Sequence, residues 1–479
     1  MGSHRHAGNA ALRSEASARP NPFLLYAYNK RIDVAVASSA QVARHKYVIA
    51  LARGGATMAI RQWLEAFKGE VVTVSERVGR DLEATKYLLE HRHSPVHFED
   101  LDGYEAVGNL WSTRDRIAAS LKVDKRDLVL RLLDAIRNPT DFEIDEKAEF
   151  LKNQSEDFDL TESPVPKFYP GDAGRYVTAG VWVAEWEGKR NLSFHRTLIL
   201  DARRGTARLV PRHLHHMYKS ALEVGEELKV AICIGLDPWN LIAGGTSVEY
   251  GRDETTIASA LKDKCLGQKV TTAKIRSGLT VPAEAEYVLE GRLTAEKHKE
   301  GPFVDAVGTY DKVRDEPVVV IERVYSRDEP IFHAILSGGD EHLMFMGMPR
   351  EPLIHEAVSK AVPHVAGVRL TEGGSMWLHG VVSIRKQHEG DGKNAIMAAF
   401  GAHTSMKQVI VVDEDIDIYS DREVEWAVAT RFQADRGLVV LHGARGSSLD
   451  PSAGDMTSKV GIDATKPVGD AEGFEKARL

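Results

Sequence analysis

A change of hydrophobic pattern divides this chain of 479 residues into three regions. From about residue 24 to 155, segments with the apolar spacing of helices alternate with short β-forming segments. From 156 to 330 the apolar segments, such as 176–184 and 230–235, are rich in β-branched and aromatic residues. The alternating pattern returns from 331 to 479. We therefore predict a mixed α/β (α+β) protein with an N-terminal α/β domain, a central β-barrel or split β-barrel domain, and a C-terminal α/β domain.

Composition excludes several classes of protein. The net charge is −8 and no long basic block occurs, so no nucleic-acid partner is expected. No apolar run reaches the ~18 residues of a membrane span, and residues 1–23 lack the apolar core of a secretory signal and are expected to form a disordered leader. The only two cysteines, Cys233 and Cys265, do not form a CxxC pair. This argues against a disulfide scaffold or a thiolate zinc site and fits a cytoplasmic protein.

Two carboxylates flank a Gly-Pro turn in the segment 300–305. Proline fixes its own backbone torsion and restricts its neighbour, so the chain must bend between Glu300 and Asp305. Such a bend is able to aim both acids into one cavity, where mutual repulsion favours a proton on one of them near neutral pH. The pair then supplies an acid and a base. The alternative interpretation is a surface turn with two solvated acids.

Oxygen and nitrogen donors recur upstream of this turn. Asn191 and Arg196 lie in one β-forming segment, residues 212–216 contain three histidines, and Glu254 stands at a predicted helix start. Asn, His and Glu together suit Mn²⁺ or Mg²⁺ better than a thiolate-binding metal, and such an ion is able to bridge a phosphate. Each signal also has a structural interpretation: Asn191 as a turn residue, the histidines as solvated strand residues, and Glu254 as an acid that the helix dipole favours.

The order of these segments resembles one known family. The matching segments are residues 191–196, 212–216, 234–238, Glu254, 281–291, 300–305, 409–417 and 458–465. Across about residues 70–470 the chain resembles the UbiD-like decarboxylases, which use prenylated flavin mononucleotide (prenylated FMN). The resemblance implies a central split barrel related to flavin reductases, in the region 156–330, and a C-terminal region that drives assembly into a homodimer or homohexamer.

The resemblance also assigns roles to individual residues. It implies a Mn²⁺ (or Mg²⁺) site that holds the flavin phosphate, with the ligands Asn191, His216 and Glu254. It implies further cofactor contacts from Phe194, His195, Arg196, Arg212, His213, Leu214, His215 and Lys407. The implied catalytic network consists of Arg196, Glu300 and Asp305, the last standing where glutamate is more frequent. Potassium is a further cofactor that the resemblance allows.

The implied reaction is reversible, non-oxidative decarboxylation of an α,β-unsaturated or aromatic carboxylic acid. No side chain is an electron sink for the carbanion that such a reaction generates, so a cofactor must provide one. A flavin prenyltransferase would supply that cofactor. The substrates implied include trans-anhydromevalonate 5-phosphate of archaeal isoprenoid biosynthesis, 3-polyprenyl-4-hydroxybenzoate and phenolic acids. Two other classes stay open from the residues alone, a metal-dependent phosphate-ester hydrolase and a non-catalytic flavin-binding subunit.

Overall fold

The computed structural model describes residues 59–479 except 455, 470, 471, 476, 478 and 479. The expected leader lies outside the described residues, and so do most of residues 39–67, whose apolar spacing predicts a helix. The helices are α1 (Ile60–Ala66), α2 (Glu83–Glu90), α3 (Arg114–Ser120), α4 (Leu128–Arg137), α5 (His213–Glu223), α6 (Pro238–Gly245), α7 (Glu254–Leu266), α8 (Asp340–Gly347), α9 (Glu351–Ala361), α10 (Asp391–Ala402), α11 (Asp421–Arg431) and α12 (Ala434–Gly437). Within this part of the chain, none of them has the length and hydrophobicity to cross a membrane.

The strands of the described residues fall into five sheets. They are β1 (Val72–Val74), β2 (Val96–Leu101), β3 (Tyr104–Gly108), β4 (Glu143–Ile144), β5 (Asn153–Ser155), β6 (Tyr176–Val177), β7 (Val181–Trp186), β8 (Lys189–Phe194), β9 (Thr197–Ile199), β10 (Arg204–Ala207), β11 (Leu228–Ile234), β12 (Thr271–Lys274), β13 (Thr280–Pro282), β14 (Tyr287–Glu300), β15 (Phe303–Val304), β16 (Tyr310–Asp311), β17 (Arg314–Ser326), β18 (Phe332–His333), β19 (Val365–Leu370), β20 (His379–Ile384), β21 (Gln408–Asp413), β22 (Leu438–Ala444) and β23 (Thr457–Ala464). The predicted mixed helix-and-sheet fold is confirmed.

The central sheet has nine strands within the described part of the chain. Its order is β6-β9-β10-β17-β14-β11-β7-β8, with β5 added on β17. The two longest strands, β14 and β17, pair antiparallel along most of their length, and β11 pairs antiparallel with both β14 and β7. Apolar residues on these strands, such as Trp182, Val230 and Ile232, are fully buried. This order is that of an open sheet, and closure into a split barrel stays a prediction.

Smaller sheets flank this one in the sequence. The order β1-β2-β3-β18 defines a four-stranded sheet, β13-β12-β4 a three-stranded sheet and β15-β16 a hairpin. The C-terminal sheet has the order β19-β20-β21-β23-β22, in which β20, β21 and β23 run parallel. Val381, Val412 and Ala464 are buried in its core, which explains the continuous apolar runs that predicted these strands.

One local prediction fails. The β-forming residues 207–210 predict a strand, but β10 ends at Ala207, and helix α5 begins at His213. The histidine-rich segment is therefore the first turn of a helix rather than part of a strand. This matters for the site, because successive residues of a helix point about 100° apart, whereas those of a strand alternate between two opposite faces.

Candidate active site

Arg196 lies at the centre of a carboxylate cluster. It follows β8, and its Nε and Nη2 donate to the two carboxylate oxygens of Glu300 at 2.8 and 2.9 Å. Its Nη1 donates to Oδ2 of Asp305 at 2.5 Å. Glu300 ends β14 and Asp305 follows β15, so the Gly-Pro turn between them aims both acids at one guanidinium. The two acids of the turn are thus not solvated surface groups.

A third acid, which no sequence motif indicated, joins this cluster. Asp311 ends β16 and accepts a hydrogen bond from Arg196 Nη2 at 3.1 Å. Arg314 also binds Asp311, with distances of 2.7 and 2.9 Å. The hairpin of β15 and β16 therefore adds Asp305 and Asp311 to Glu300 of β14, and three carboxylates meet two guanidiniums. Phe303 on β15 closes one side, with the guanidinium of Arg196 4.5 Å from its ring centre.

The surroundings keep Arg196 charged. Burial lowers the pKa of Arg196, but the hydrogen bonds and charge of Glu300 and the charges of Asp305 and Asp311 outweigh burial and raise the pKa above its ordinary value. Tyr176 packs on Phe303 and its hydroxyl accepts a hydrogen bond from the backbone of Gly301. The guanidinium is therefore a fixed cation in a nearly dry setting.

His342 on α8 is a second residue near Asp305 that the sequence did not indicate. Its Nδ1 accepts a hydrogen bond from the backbone N–H of Gly338 at 3.0 Å. Burial lowers the pKa of His342, the charge of Asp305 opposes that effect, and the charge of Arg196 adds to it. A neutral ring that accepts at Nδ1 carries its proton on Nε2. His342 is thus a neutral hydrogen-bond donor beside the charged cluster.

Asn191 and Glu254 form a second polar centre. Asn191 is on β8, and its Nδ2 donates to Glu254 Oε1 at 3.2 Å. Glu254 is the first residue of α7, and its Oε2 accepts from the backbone of Leu192 at 2.9 Å. The imidazole Nδ1 of His213 lies 3.5 Å from Glu254 Oε1. Burial raises the pKa of Glu254, and the hydrogen bond of His213 opposes it.

Helix α5 distributes the predicted histidine cluster over several faces. His213 faces Glu254, and Leu214 is buried in the core. Burial and the charge of Lys219 lower the pKa of His215, and the charge of Glu316 on β17 opposes them. His215 therefore faces β17 rather than Glu254.

His216 lies apart from the polar centre. It is exposed and packs edge-on against the Tyr250 ring, with 4.7 Å between ring centres. Within the described residues His216 forms no hydrogen bond or ion pair with Glu254 or Asn191. The geometry therefore favours His213 over the predicted His216 as the imidazole of this centre.

The remaining predicted cofactor residues lie in different settings. His195 is buried, its Nδ1 donates to the backbone oxygen of Arg208 at 3.0 Å, and burial lowers its pKa to about 4. Phe194 stacks on Phe345 at 6.0 Å between ring centres. Lys407 forms an ion pair with Asp450 at 2.8 Å. Arg212 precedes α5 and donates to the hydroxyl of Ser247. Among these four residues, only Phe194 and His195 share a chain segment with Arg196.

Comparison with known proteins supports one family. The chain matches the family models of three domains of 3-octaprenyl-4-hydroxybenzoate carboxy-lyase. They are the N-terminal domain at residues 62–136, the Rift-related domain at 143–340 and the C-terminal domain at 343–464. An anhydromevalonate phosphate decarboxylase of Methanocaldococcus jannaschii is 42% identical over 413 residues, which cover 85% of this chain and 97% of that relative.

Solved structures agree with this result. The UbiD-class enzyme HmfF from Pelotomaculum thermopropionicum, in complex with FMN, has a TM-score of 0.85 and 36% identity over 88% of this chain and 97% of that chain. An evolved dimeric form of HmfF in complex with prFMN gives a TM-score of 0.82 and 33% identity, with the same coverage. Fold and site together define a decarboxylase. The chain belongs to the UbiD family of carboxy-lyases, as its sequence predicted.

Proposed function

We propose that the protein catalyses non-oxidative decarboxylation of a phosphorylated α,β-unsaturated acid, trans-anhydromevalonate 5-phosphate, with prenylated FMN as cofactor. The observation that supports this reaction is the single cluster of Arg196, Glu300 and Asp305. The substrate is proposed from the 42% identity to the anhydromevalonate phosphate decarboxylase of M. jannaschii.

The Asn191–Glu254 centre fits a hard divalent cation. Glu254 is 2% exposed, and no lysine or arginine of the described residues forms an ion pair with it. Ser193 donates to Asn191 Oδ1 at 2.8 Å and so orients the amide. An amide oxygen, a carboxylate and an imidazole suit Mn²⁺ or Mg²⁺. We propose Asn191, Glu254 and His213 as the ligands, with the geometry as the reason for His213 in place of His216.

Prenylated FMN, when bound, supplies the electron sink for the electron pair that is released when CO₂ leaves. The protein groups then bind and move protons. Arg196 uses Nε, Nη2 and one hydrogen of Nη1 for its three acids, so the second Nη1 hydrogen has no hydrogen-bond partner among the described residues. We propose that this N–H binds the substrate carboxylate by a charge-assisted hydrogen bond.

Asp305 is proposed as the proton donor. Its carboxyl group would deliver a proton to the carbon that loses CO₂, as a general acid. The side chain of Asp305 is 15% exposed, whereas that of Glu300 is fully buried, so Asp305 is the more accessible acid of the pair. Glu300 would hold Arg196 in place by two hydrogen bonds.

The test is expression together with a flavin prenyltransferase, followed by assays of CO₂ release. The proposal predicts CO₂ and a phosphorylated five-carbon alkene from trans-anhydromevalonate 5-phosphate, with lower rates on phenolic acids and 3-polyprenyl-4-hydroxybenzoate. Faster turnover of a phenolic acid would replace the proposed substrate. The buried free thiols of Cys233 and Cys265 support the proposed cytoplasmic location, and a homodimer or homohexamer stays a prediction.

A further inference from the structure

Arg350 is a cation that the proposed chemistry does not use. It ends a 3-10 turn, Met348–Arg350, that follows α8. This turn is held tightly on two sides. A Cβ at Gly245 would clash with the backbone oxygen of Phe345, and a Cβ at Gly347 would clash with that of Met376. The position of Arg350 is thus fixed by backbone packing between the end of α6 and the segment that contains Trp377.

No carboxylate neutralises Arg350 among the described residues. Its Nε is buried and has no hydrogen-bond partner there. The neighbouring acid, Glu351, is fully buried and is bound by both guanidinium nitrogens of Arg114 at 2.8 and 2.6 Å. The charge of Arg350 instead lies against the ring of Trp377, whose centre is 5.5 Å away. A half-buried arginine without a counter-ion is costly unless a ligand supplies one.

A second cation makes this cost larger. Burial and, to a smaller extent, the charge of Arg212 together lower the pKa of Arg350 to about 9. Arg212 precedes α5 and is next to His213, which faces Glu254. Burial is the main reason why the pKa of His403 is lowered to about 4. The charges of Arg350, Arg212 and Lys459 lower this pKa as well. Two guanidiniums that repel each other beside a neutral histidine are typical of a site for a polyvalent anion.

The helix that ends near Arg350 begins near the catalytic cluster. His342, whose ring interacts with Asp305 and Arg196, precedes Arg350 by eight residues. Eight residues of helix span about 12 Å. Arg350 therefore lies about two helical turns from His342 along this segment.

We propose that Arg350, with Arg212 beside it, binds a phosphate ester at the end of the substrate opposite to its carboxylate. This inference rests on the proposed function and names the residues that select the phosphorylated acid. The flavin also carries a phosphate, and the proposed metal centre is assigned to that group. Phosphate is the shared chemistry, and the experiment must separate the two sources.

The experiment compares Arg350→Gln and Arg350→Lys with a matched control, Arg385→Gln, which removes an exposed arginine paired with Glu414. Each protein is made with a flavin prenyltransferase. Flavin absorbance per protein, the melting temperature, and kcat/KM for trans-anhydromevalonate 5-phosphate and for the same acid without phosphate are measured. Inhibition of the wild type by inorganic phosphate is measured as well.

The proposal predicts that Arg350→Gln lowers the preference for the phosphorylated acid by about 30-fold or more. Arg350→Lys should keep part of the preference, and Arg385→Gln all of it. Flavin content should not change, inorganic phosphate should compete with the phosphorylated acid, and the melting temperature of Arg350→Gln should not fall, because the variant loses a repulsion.

Three results would overturn the proposal. An unchanged preference in Arg350→Gln would exclude the subsite alone and leave the proposed function intact. Loss of flavin from Arg350→Gln would assign the arginine to the cofactor phosphate. Failure of the wild type to release CO₂ from the phosphorylated acid would overturn the proposed function and the subsite together.

Discussion

Arg196 binds Asp305 through one nitrogen only, with 2.5 Å between Nη1 and Oδ2. Its contact with Glu300 is bidentate, so the two acids of the turn are held differently. A bidentate pair fixes orientation, whereas a single contact allows one carboxylate oxygen to exchange a proton. This difference is the structural reason for giving the proton to Asp305 and the positioning role to Glu300.

Replacement of Asp305 by asparagine should therefore remove the acid and preserve most of the packing. We expect Asp305→Asn to lower kcat by about 100-fold or more while flavin content stays the same. Asp315→Asn, which alters an exposed acid paired with Lys299, is the matched control. Steady-state CO₂ release and flavin absorbance measure both effects, and unchanged turnover in Asp305→Asn would show that another group donates the proton.

Glu300→Gln should affect stability as well as rate. The variant leaves Arg196 buried with only Asp305 and Asp311 as acidic partners, so we expect a loss of about 2–4 kcal/mol in the free energy of unfolding. Denaturant titration measures it, with the exposed Glu322→Gln as control. A variant as stable as the wild type would mean that Glu300 does not anchor the guanidinium.

The metal assignment separates two histidines one turn apart. His213→Ala should lose bound Mn²⁺, because His213 is the imidazole beside Glu254, whereas His216→Ala should retain it. Metal content per protein after loading with Mn²⁺ and dialysis measures this directly. Retention by His213→Ala with loss from His216→Ala would restore the prediction made from the sequence.

Short-range patterns predicted the elements of this fold well. The apolar residues 230–235, 381–384 and 409–413 predict strands and the periodicity of 125–136 and 421–431 predicts helices, and the structure has β11, β20, β21, α4 and α11 there. The alternative interpretation of the histidines of 212–216 as solvated strand residues is wrong, because local composition does not reveal a helix whose first turn is polar. In a strand His213 and His215 would share one face, whereas in the helix they do not.

The part of the site that depends on contacts between distant residues could not be predicted from local sequence patterns. The Gly-Pro turn indicated that Glu300 and Asp305 converge, and the family resemblance added Arg196. Asp311 and His342 lacked a motif, and only the pairing of β15 with β16 and the position of α8 bring them in. The sequence did not indicate a role for Arg350. That role is inferred from the lack of a counter-ion among the described residues, which only the structure reveals.

The proposed phosphate subsite predicts a pH dependence. An arginine is charged below its pKa, and burial lowers the pKa of Arg350 to about 9. The preference in kcat/KM for the phosphorylated over the unphosphorylated acid should therefore fall as the pH rises above about 9. Because the ratio compares two substrates, the titration of protein groups that affect both substrates equally does not change it. A ratio that stays constant well above that pH would contradict the role of Arg350.

Glu286 should make stability depend on pH. Burial raises its pKa to about 7, although it accepts a hydrogen bond from Ile331. A raised carboxyl pKa means that stability is fully present below the unfolded pKa of about 4.5 and is lost as the pH rises through 7, by about 3 kcal/mol. Glu286→Gln should lack this loss. Urea titrations at about pH 4.5 and about pH 8, with the exposed Glu329→Gln as control, measure the difference, and parallel curves for Glu286→Gln and the wild type would contradict it.

The most direct measurement is CO₂ release from trans-anhydromevalonate 5-phosphate by protein made with a flavin prenyltransferase, with Asp305→Asn assayed in parallel. Our account predicts one CO₂ and one phosphorylated alkene per acid consumed, and a loss of turnover in Asp305→Asn at equal flavin content. No CO₂ from this acid, or the same rate in the variant, would contradict it.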